Sequence, residues 1–301
     1  MMARPPMFHA LTAARPSIWR GLVPALFVVI WSTGFFISKL GLAYAPPFTI
    51  LFLRFAIAAL LMAVTALALG SSWPRSRRQA LHVAVVGVLL QTVYLGGCYS
   101  AMAVGLPAGI AALIVGLQPI LIACVVGPIL GERVSPRHWL GLALGFAGVA
   151  LVLWDKLSLA GLESWGVALA LGALLGITAA TLYQKRFCGA VDLITGTAIQ
   201  YAAAAVTTLP IAAVLGFGPV HWTGALIFSL AWLTLMLSIG AVTLLLWLIR
   251  RGAASKVASL FFLTPPAAAL GGYLLLGETL AAPALLGMGL TAIGVALVSR
   301  A

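Results

Sequence analysis

The chain is built almost end to end from apolar runs of one length class. Crossing the hydrocarbon of a bilayer as a helix takes about 20 mostly apolar residues. Ten such runs are read, at 20–40, 48–69, 80–101, 108–130, 137–154, 162–184, 192–215, 223–249, 254–276 and 281–299. Short connections with turn residues separate them: Pro46-Pro47, Trp73-Pro74, Gly131 to Pro136, Gly216 to Pro219 and Gly277 to Pro283. Lipid offers backbone amides no partner, so each run is expected to be helical. Composition agrees, with 63% hydrophobic residues and only 17 basic and 5 acidic side chains in 301. A soluble domain carries about a quarter charged residues. A soluble enzyme, a disordered chain and a disulfide scaffold are thereby excluded.

A net charge of +12 suggests nucleic acid until the basic residues are located. They punctuate the apolar runs instead of forming a patch, so no nucleic-acid partner is expected. All but Lys39, Arg54 and Lys156 lie in the N-terminal segment, in alternate connections or at the last helix end. Positive loops stay cytoplasmic. The expectation is ten transmembrane helices with both termini cytoplasmic, residues 1–19 forming a tail and not a removable signal peptide. Cys98, Cys124 and Cys188 sit in or beside apolar runs, far apart in sequence, and read as small core residues.

The chain also repeats itself. Pro119, Leu130-Gly131-Glu132 and Gly148-Val149-Ala150-Leu151-Val152 recur as Pro265, Leu276-Gly277-Glu278 and Gly294-Val295-Ala296-Leu297-Val298, always 146 residues on. Lys39 maps to Lys185 and Gly141 to Gly287 at the same offset. The repeats are assigned to 20–154 and 162–299. Five helices is an odd number, so the halves are expected to lie in opposite orientation, a pattern found in secondary transporters.

The stretches Ala108 to Val152 and Ala254 to Val298, with Gln118-Pro119 and the shared Gly-Glu and Gly-Val pairs, resemble the EamA domain of the drug/metabolite transporter superfamily. Trp31 through Lys39, followed by Arg54, is similar to the opening helices of the first domain. Overall the chain looks most like the ten-helix exporters of aromatic and other amino acids. The resemblance implies a central cavity built mainly from helices 1, 3, 4, 6, 8 and 9. It also implies that helices 2 and 7 move and that helices 5 and 10 support them.

Helical spacing places polar and aromatic residues on common faces. Trp31, Gly34 and Ser38 share one on helix 1, and Gln91, Tyr94 and Cys98 share one on helix 3 beside Tyr99. Gln118 precedes Pro119, where a kink frees carbonyls, and Pro265 repeats that hinge. Tyr183 closes helix 6, and Ser255, Ser259 and Phe262 fall together on helix 9. Trp31, Ser38, Gln91, Tyr94, Tyr99, Gln118, Tyr183, Ser259 and Phe262 are thus the candidate lining of a substrate cavity. Lys39, Arg54 and Lys185 are candidate charged contacts or gates.

The five acids, Glu132, Asp155, Glu163, Asp192 and Glu278, all fall at helix ends or in loops. Small multidrug pumps of the same superfamily rely on a buried glutamate in helix 1, which is absent here. Glu132 and Glu278 read as caps at the entries to helices 5 and 10. No metal-ligand spacing, nucleophile motif or clustered histidines occur, so no metal, cofactor or enzyme activity is expected.

The chain is expected to be an inner-membrane exporter of neutral amino acids or similar metabolites, working by alternating access. Rival cargoes are purines, sugars and organic cations, and a lipid-handling role is a further rival. Lipid and a small molecule are the expected partners. A stripe of small residues on helices 5 and 10 serves either packing within a monomer or a dimer.

Overall fold

The structure, a computed structural model, describes residues 18–154, 164–215, 217–276 and 281–300. Most of the expected tail, Asp155, Lys156, Glu163 and Glu278 lie outside the described residues. Every regular element among those described is helical. They are α1 (Ile18–Leu42), α2 (Pro47–Ala68), α3 (Arg77–Ala103), α4 (Ala108–Val115 and Gln118–Leu130), α5 (Pro136–Val152), α6 (Ser164–Phe187), α7 (Leu193–Leu215), α8 (Gly224–Arg251), α9 (Ala254–Ser259, Leu260–Leu263 and Thr264–Leu276) and α10 (Ala282–Arg300). Eight helices among the described residues are long and apolar enough to cross a membrane. The remaining two depart from the simple rod: α5 has 17 residues, and α9 is interrupted.

Local chemistry sets the helix starts. Pro47 opens α2 after an extended Pro46, where its missing N–H costs nothing. The hydroxyls of Ser76, Ser135 and Thr223 accept N–H bonds from Gln79, His138 and Leu226. α4 ends at Gly131 with φ of 71°, a left-handed turn that favours glycine.

The internal repeat reappears as backbone irregularity. α3 widens into a π-turn over Val88–Leu95, and α8 does so over Leu233–Ala241. Adding 146 to the first interval reproduces the second to within one residue. α4 breaks at Gly116-Leu117, and α9 tightens into a 3-10 turn at the equivalent Leu260–Leu263. Wide and tight turns inside helices gather at functional sites.

Equivalent helices of the two repeats pack on each other, α2 on α7 and α5 on α10. The small-residue stripe makes the second contact within the chain. A Cβ on Gly294 would stand 2.5 Å from the Gly145 nitrogen, and one on Gly287 would stand 2.5 Å from the Gly148 carbonyl oxygen. Only glycine permits that approach. Outward, Leu67, Val206, Val214, Leu274 and Leu286 are exposed. Such a surface suits lipid and not water. Trp73, Trp139, Trp154, Trp165 and Trp222 are also exposed, as interfacial anchors require.

Gly294→Ile is expected to destabilise the fold by about 3 kcal/mol, because the obstructing atoms are backbone. Gly289, with open space around it, should accept alanine. Thermal unfolding in detergent compares them; equal melting temperatures would contradict the α5–α10 packing.

Candidate functional site

At the centre of the bundle, Trp31, Gly34 and Ser38 of α1, Arg54 of α2, seven residues of α3 including Gln91, Tyr94 and Tyr99, and Leu237 and Val242 of α8 surround a cavity of about 40 Å³. Ligand pockets measure about 300–1,000 Å³. This cavity, with space for only a few waters, is too small for such a ligand without widening. Trp31 and Tyr94 also wall a second void of about 20 Å³, bounded beyond them by α4, α5, Phe261 and Pro265. The two aromatics thus stand on the walls of both voids. Trp31 and Phe261 meet edge to face at 5.2 Å, which holds the Trp31 ring in place.

The polar groups here are exceptional for their surroundings. Arg54 is 2% exposed, and its Nε donates to the Ser238 hydroxyl at 2.7 Å. The Tyr99 hydroxyl lies beside Ser38 and the guanidinium. The Tyr201 hydroxyl donates to the Ser238 carbonyl at 2.8 Å, and the Tyr201 ring stacks on Phe55. Gln91 is fully buried near Tyr201, yet neither of its amide atoms makes a hydrogen bond. No ion pair occurs among the described residues, and the two described acids, Glu132 and Asp192, are engaged elsewhere. A buried charge left without a partner costs about 3–5 kcal/mol.

Of the residues singled out from sequence, Trp31, Ser38, Arg54, Gln91, Tyr94 and Tyr99 come together on this cavity. Others are placed apart from it. Gln118 donates to Thr181 at 3.1 Å between α4 and α6. Pro119 is buried in the first turn of the second α4 piece, and the chain breaks just before it, while Pro265 borders the smaller void. The Ser259 hydroxyl bonds the Lys256 carbonyl on its own helix. Phe262 packs against Gly145 and the α5–α10 core, and its neighbour Phe261 faces the void. The 3-10 turn advances each residue by about 120° instead of 100°, so uniform helical spacing selects the wrong phenylalanine. Tyr183 meets His82 at 2.7 Å, in a ring cluster with Phe187. Lys39 is exposed.

Sequence reasoning named no α8 residue, although Leu237 and Ser238 sit at its π-turn. The repeat offset carried the signal: Gln91 and Thr92 plus 146 are Leu237 and Ser238.

The connections α2–α3, α4–α5, α6–α7 and α8–α9 meet at one end of the bundle. There the Thr195 hydroxyl donates to the Ser72 carbonyl at 2.9 Å, Lys185 Nζ donates to the Gly252 carbonyl at 2.5 Å, Arg186 donates to the Ile129 carbonyl and Arg250 to the Val191 carbonyl. Glu132 accepts from the Ala254 amide at 2.9 Å and contacts the Ser255 hydroxyl at 3.3 Å. It therefore caps α9 in the other repeat and not α5, whose cap is Ser135; this corrects the expectation from sequence. Burial beside this latch pushes the Cys188 thiol up to about 11. The opposite end joins through His221 N–H to the Tyr44 carbonyl at 2.9 Å and the Thr49 hydroxyl to the Phe217 carbonyl at 2.8 Å.

A much larger void, about 740 Å³, lies elsewhere, on the flank between α2, α3, α6 and α7. The apolar side chains of Phe48, Val93, Trp165 and Leu215 line it, and the last three are exposed.

The model of the EamA-like transporter family matches residues 19–154 and again 164–300. The chain belongs to the EamA-like transporter family. It is 30% identical over 288 residues to the uncharacterized inner membrane transporter YedA of Escherichia coli K12, covering 93% of this chain and 92% of that one. It is 25% identical over 269 residues to a probable amino-acid metabolite efflux pump of Salmonella typhimurium, covering 86% and 88%. A solved crystal structure at 22% identity superposes with a TM-score of 0.79 over 93% of this chain and 96% of that one. This EamA-like chain is accordingly a multi-pass membrane protein of a transporter family, formed of two EamA repeats.

A hydrogen bond involving a charged group contributes about 1.5–3 kcal/mol. Lys185→Ala is therefore expected to raise the rate of maleimide reaction at Cys188 at least about tenfold at neutral pH, through easier local opening. In the intact latch, that rate should keep climbing with pH up to about 11, where half the thiol ionises. An unchanged rate in the variant, followed by mass spectrometry, would remove Lys185 from the latch.

Proposed function

We propose that the protein is a secondary exporter that moves amino acids, aromatic and other neutral ones first, across the inner membrane by alternating access. One observation carries this reading: the central cavity, with polar and aromatic groups on its wall, draws its residues from both repeats, α1 to α3 of the first and α8 of the second. A site on the seam between two halves is alternately exposed when they rock. The name of the Salmonella relative supports the amino-acid class, and YedA supports the inner membrane.

In this reading the chain has ten transmembrane helices, with α5 as a short span and α9 as a broken one. The halves are inverted five-helix units. The latched end carries Arg133, Lys185, Arg186, Arg250, Arg251 and Lys256. By the positive-inside rule that end, and both termini, are cytoplasmic. The stripe on α5 and α10 is already occupied within the chain, which favours a monomer. The cytoplasmic latch is closed, and the cavity of about 40 Å³ must widen to take cargo. Buried aromatics suit an amphipathic cargo, whereas sugars need more hydrogen-bonding groups than this cavity presents.

Purified protein in liposomes loaded with labelled amino acids tests the reading. Counterflow of one or more neutral amino acids is expected. Gly34→Leu should reduce it more than tenfold, because a Cβ there meets the Leu237 side chain at 2.5 Å and the longer chain fills the cavity. Silence across the panel from folded protein would remove amino acids as the cargo.

A further inference from the structure

The two repeats treat one buried position differently. Arg54 plus 146 is Gln200, and Ser38 plus 146 is Gln184. In the second repeat these two glutamines face each other, Gln200 Nε2 to Gln184 Oε1 at 3.4 Å. Gln200 is as buried as Arg54. A neutral side chain therefore fills this position in one half of the same fold, and the guanidinium of the first half is not a requirement of helix packing.

Among the described residues, no acid neutralises the charge. Ser238 occupies Nε, Phe55 lies under the guanidinium at 5.8 Å, and the nearby hydroxyls of Tyr94, Tyr99 and Tyr201 are neutral groups. Gln91, with both amide atoms unpaired, opens onto the same cavity. A planar guanidinium whose terminal nitrogens have no carboxylate partner matches a carboxylate in an end-on fork. There is one positive charge and no lysine on the cavity wall, so the charge balance fits a monoanion better than a phosphate dianion. Much of the remaining wall is apolar or aromatic, with Trp31, Tyr94, Leu90, Leu95, Leu237 and Val242 among its residues, which suits an apolar or aromatic body.

We propose that Arg54, assisted by Ser238 and Gln91, is the carboxylate-binding site of this cavity, so that the protein takes monocarboxylates with an apolar body and rejects organic cations. The assignment rests on the exporter reading above for its physiological meaning, but the binding site is testable without transport. Cations are excluded by repulsion from a charge that no acid on the wall offsets.

The experiment measures binding to purified full-length protein and transport in liposomes, side by side. Benzoate, 3-phenylpropionate and L-phenylalanine are compared with phenethylamine, L-phenylalaninamide and inorganic phosphate as probes, by calorimetry and thermal unfolding. The carboxylates are expected to bind and raise the melting temperature, and the amine, the amide and phosphate to do neither. Arg54→Gln should weaken carboxylate binding about ten- to hundredfold, and Arg54→Lys should restore part of it. Gln200 shows that glutamine is accommodated in the equivalent setting, so Arg54→Gln is expected to fold; its elution and circular dichroism check that.

Carboxylate binding that depends on Arg54, without transport of any amino acid, would keep this site and remove the exporter reading. Transport of amino acids by Arg54→Gln at the wild-type rate would do the reverse. No binding of any carboxylate to folded wild-type protein, or equal binding of the amide and the acid, would overturn the site.

Discussion

In hydrocarbon, neither a backbone amide nor a charge has solvent to turn to, and that single constraint organises this molecule. Each unsatisfied group there costs several kcal/mol. Most of the chain meets the demand in the simplest way, with regular apolar helices whose leucines and valines face outward. The departures are few, and they are concentrated: two π-turns, one helix break, one 3-10 turn and one buried arginine. The irregular turns occur in pairs at one sequence offset, and several of them border the two small cavities. Irregular backbone in a membrane protein is tolerated where it lines a cavity or lies buried in protein, and its placement here follows that rule.

The same constraint explains the asymmetry between the ends of the bundle. At one end, Lys185, Arg186 and Arg250 donate to backbone carbonyls, and Glu132 reaches across to cap α9. The bonds to Gly252, Ile129 and Ala254 satisfy groups that helix ends leave open. Arg186–Ile129 and Glu132–Ala254 cross between the repeats, so the halves cannot part at this end without breaking them. At the other end, the ties among the described residues are two neutral hydrogen bonds. Neutral bonds contribute about 1 kcal/mol each and charged ones about twice that. Between the ends, glycines on α5 and α10 hold two backbones in contact, which gives the halves a stiff flank against which to move.

Much of this was legible in the amino-acid order, and the reasons for success and failure are physical. Apolar runs announced the helices because lipid tolerates little else. The 146-residue offset announced two equivalent halves through Leu-Gly-Glu and Gly-Val-Ala-Leu-Val. Regular helical spacing put Trp31 and Ser38 on one face of α1 and Gln91 and Tyr94 on one face of α3, and all four border the central cavity. It failed where the helix was not regular: the tight turn in α9 exchanged Phe262 for Phe261, and the π-turn of α8 brought Ser238 to Arg54 unannounced. Glu132 was read as a local cap because sequence shows only near neighbours, whereas its partner amide is 122 residues away. Tyr183 and Gln118 looked like cavity groups by type, but each found a partner between helices. The flank cleft had no sequence signature at all.

The central claim is that cargo passes through the seam between the repeats, at Arg54, and not along the flank. A structure determined with a bound aromatic monocarboxylate tests it most directly. The account predicts density with the carboxylate within about 3 Å of the Arg54 guanidinium, and Trp31 and Tyr94 turned aside so that the two small voids become one. Density for the ligand in the cleft between α2, α3, α6 and α7, with Arg54 untouched and the Trp31–Phe261 contact intact, would contradict it.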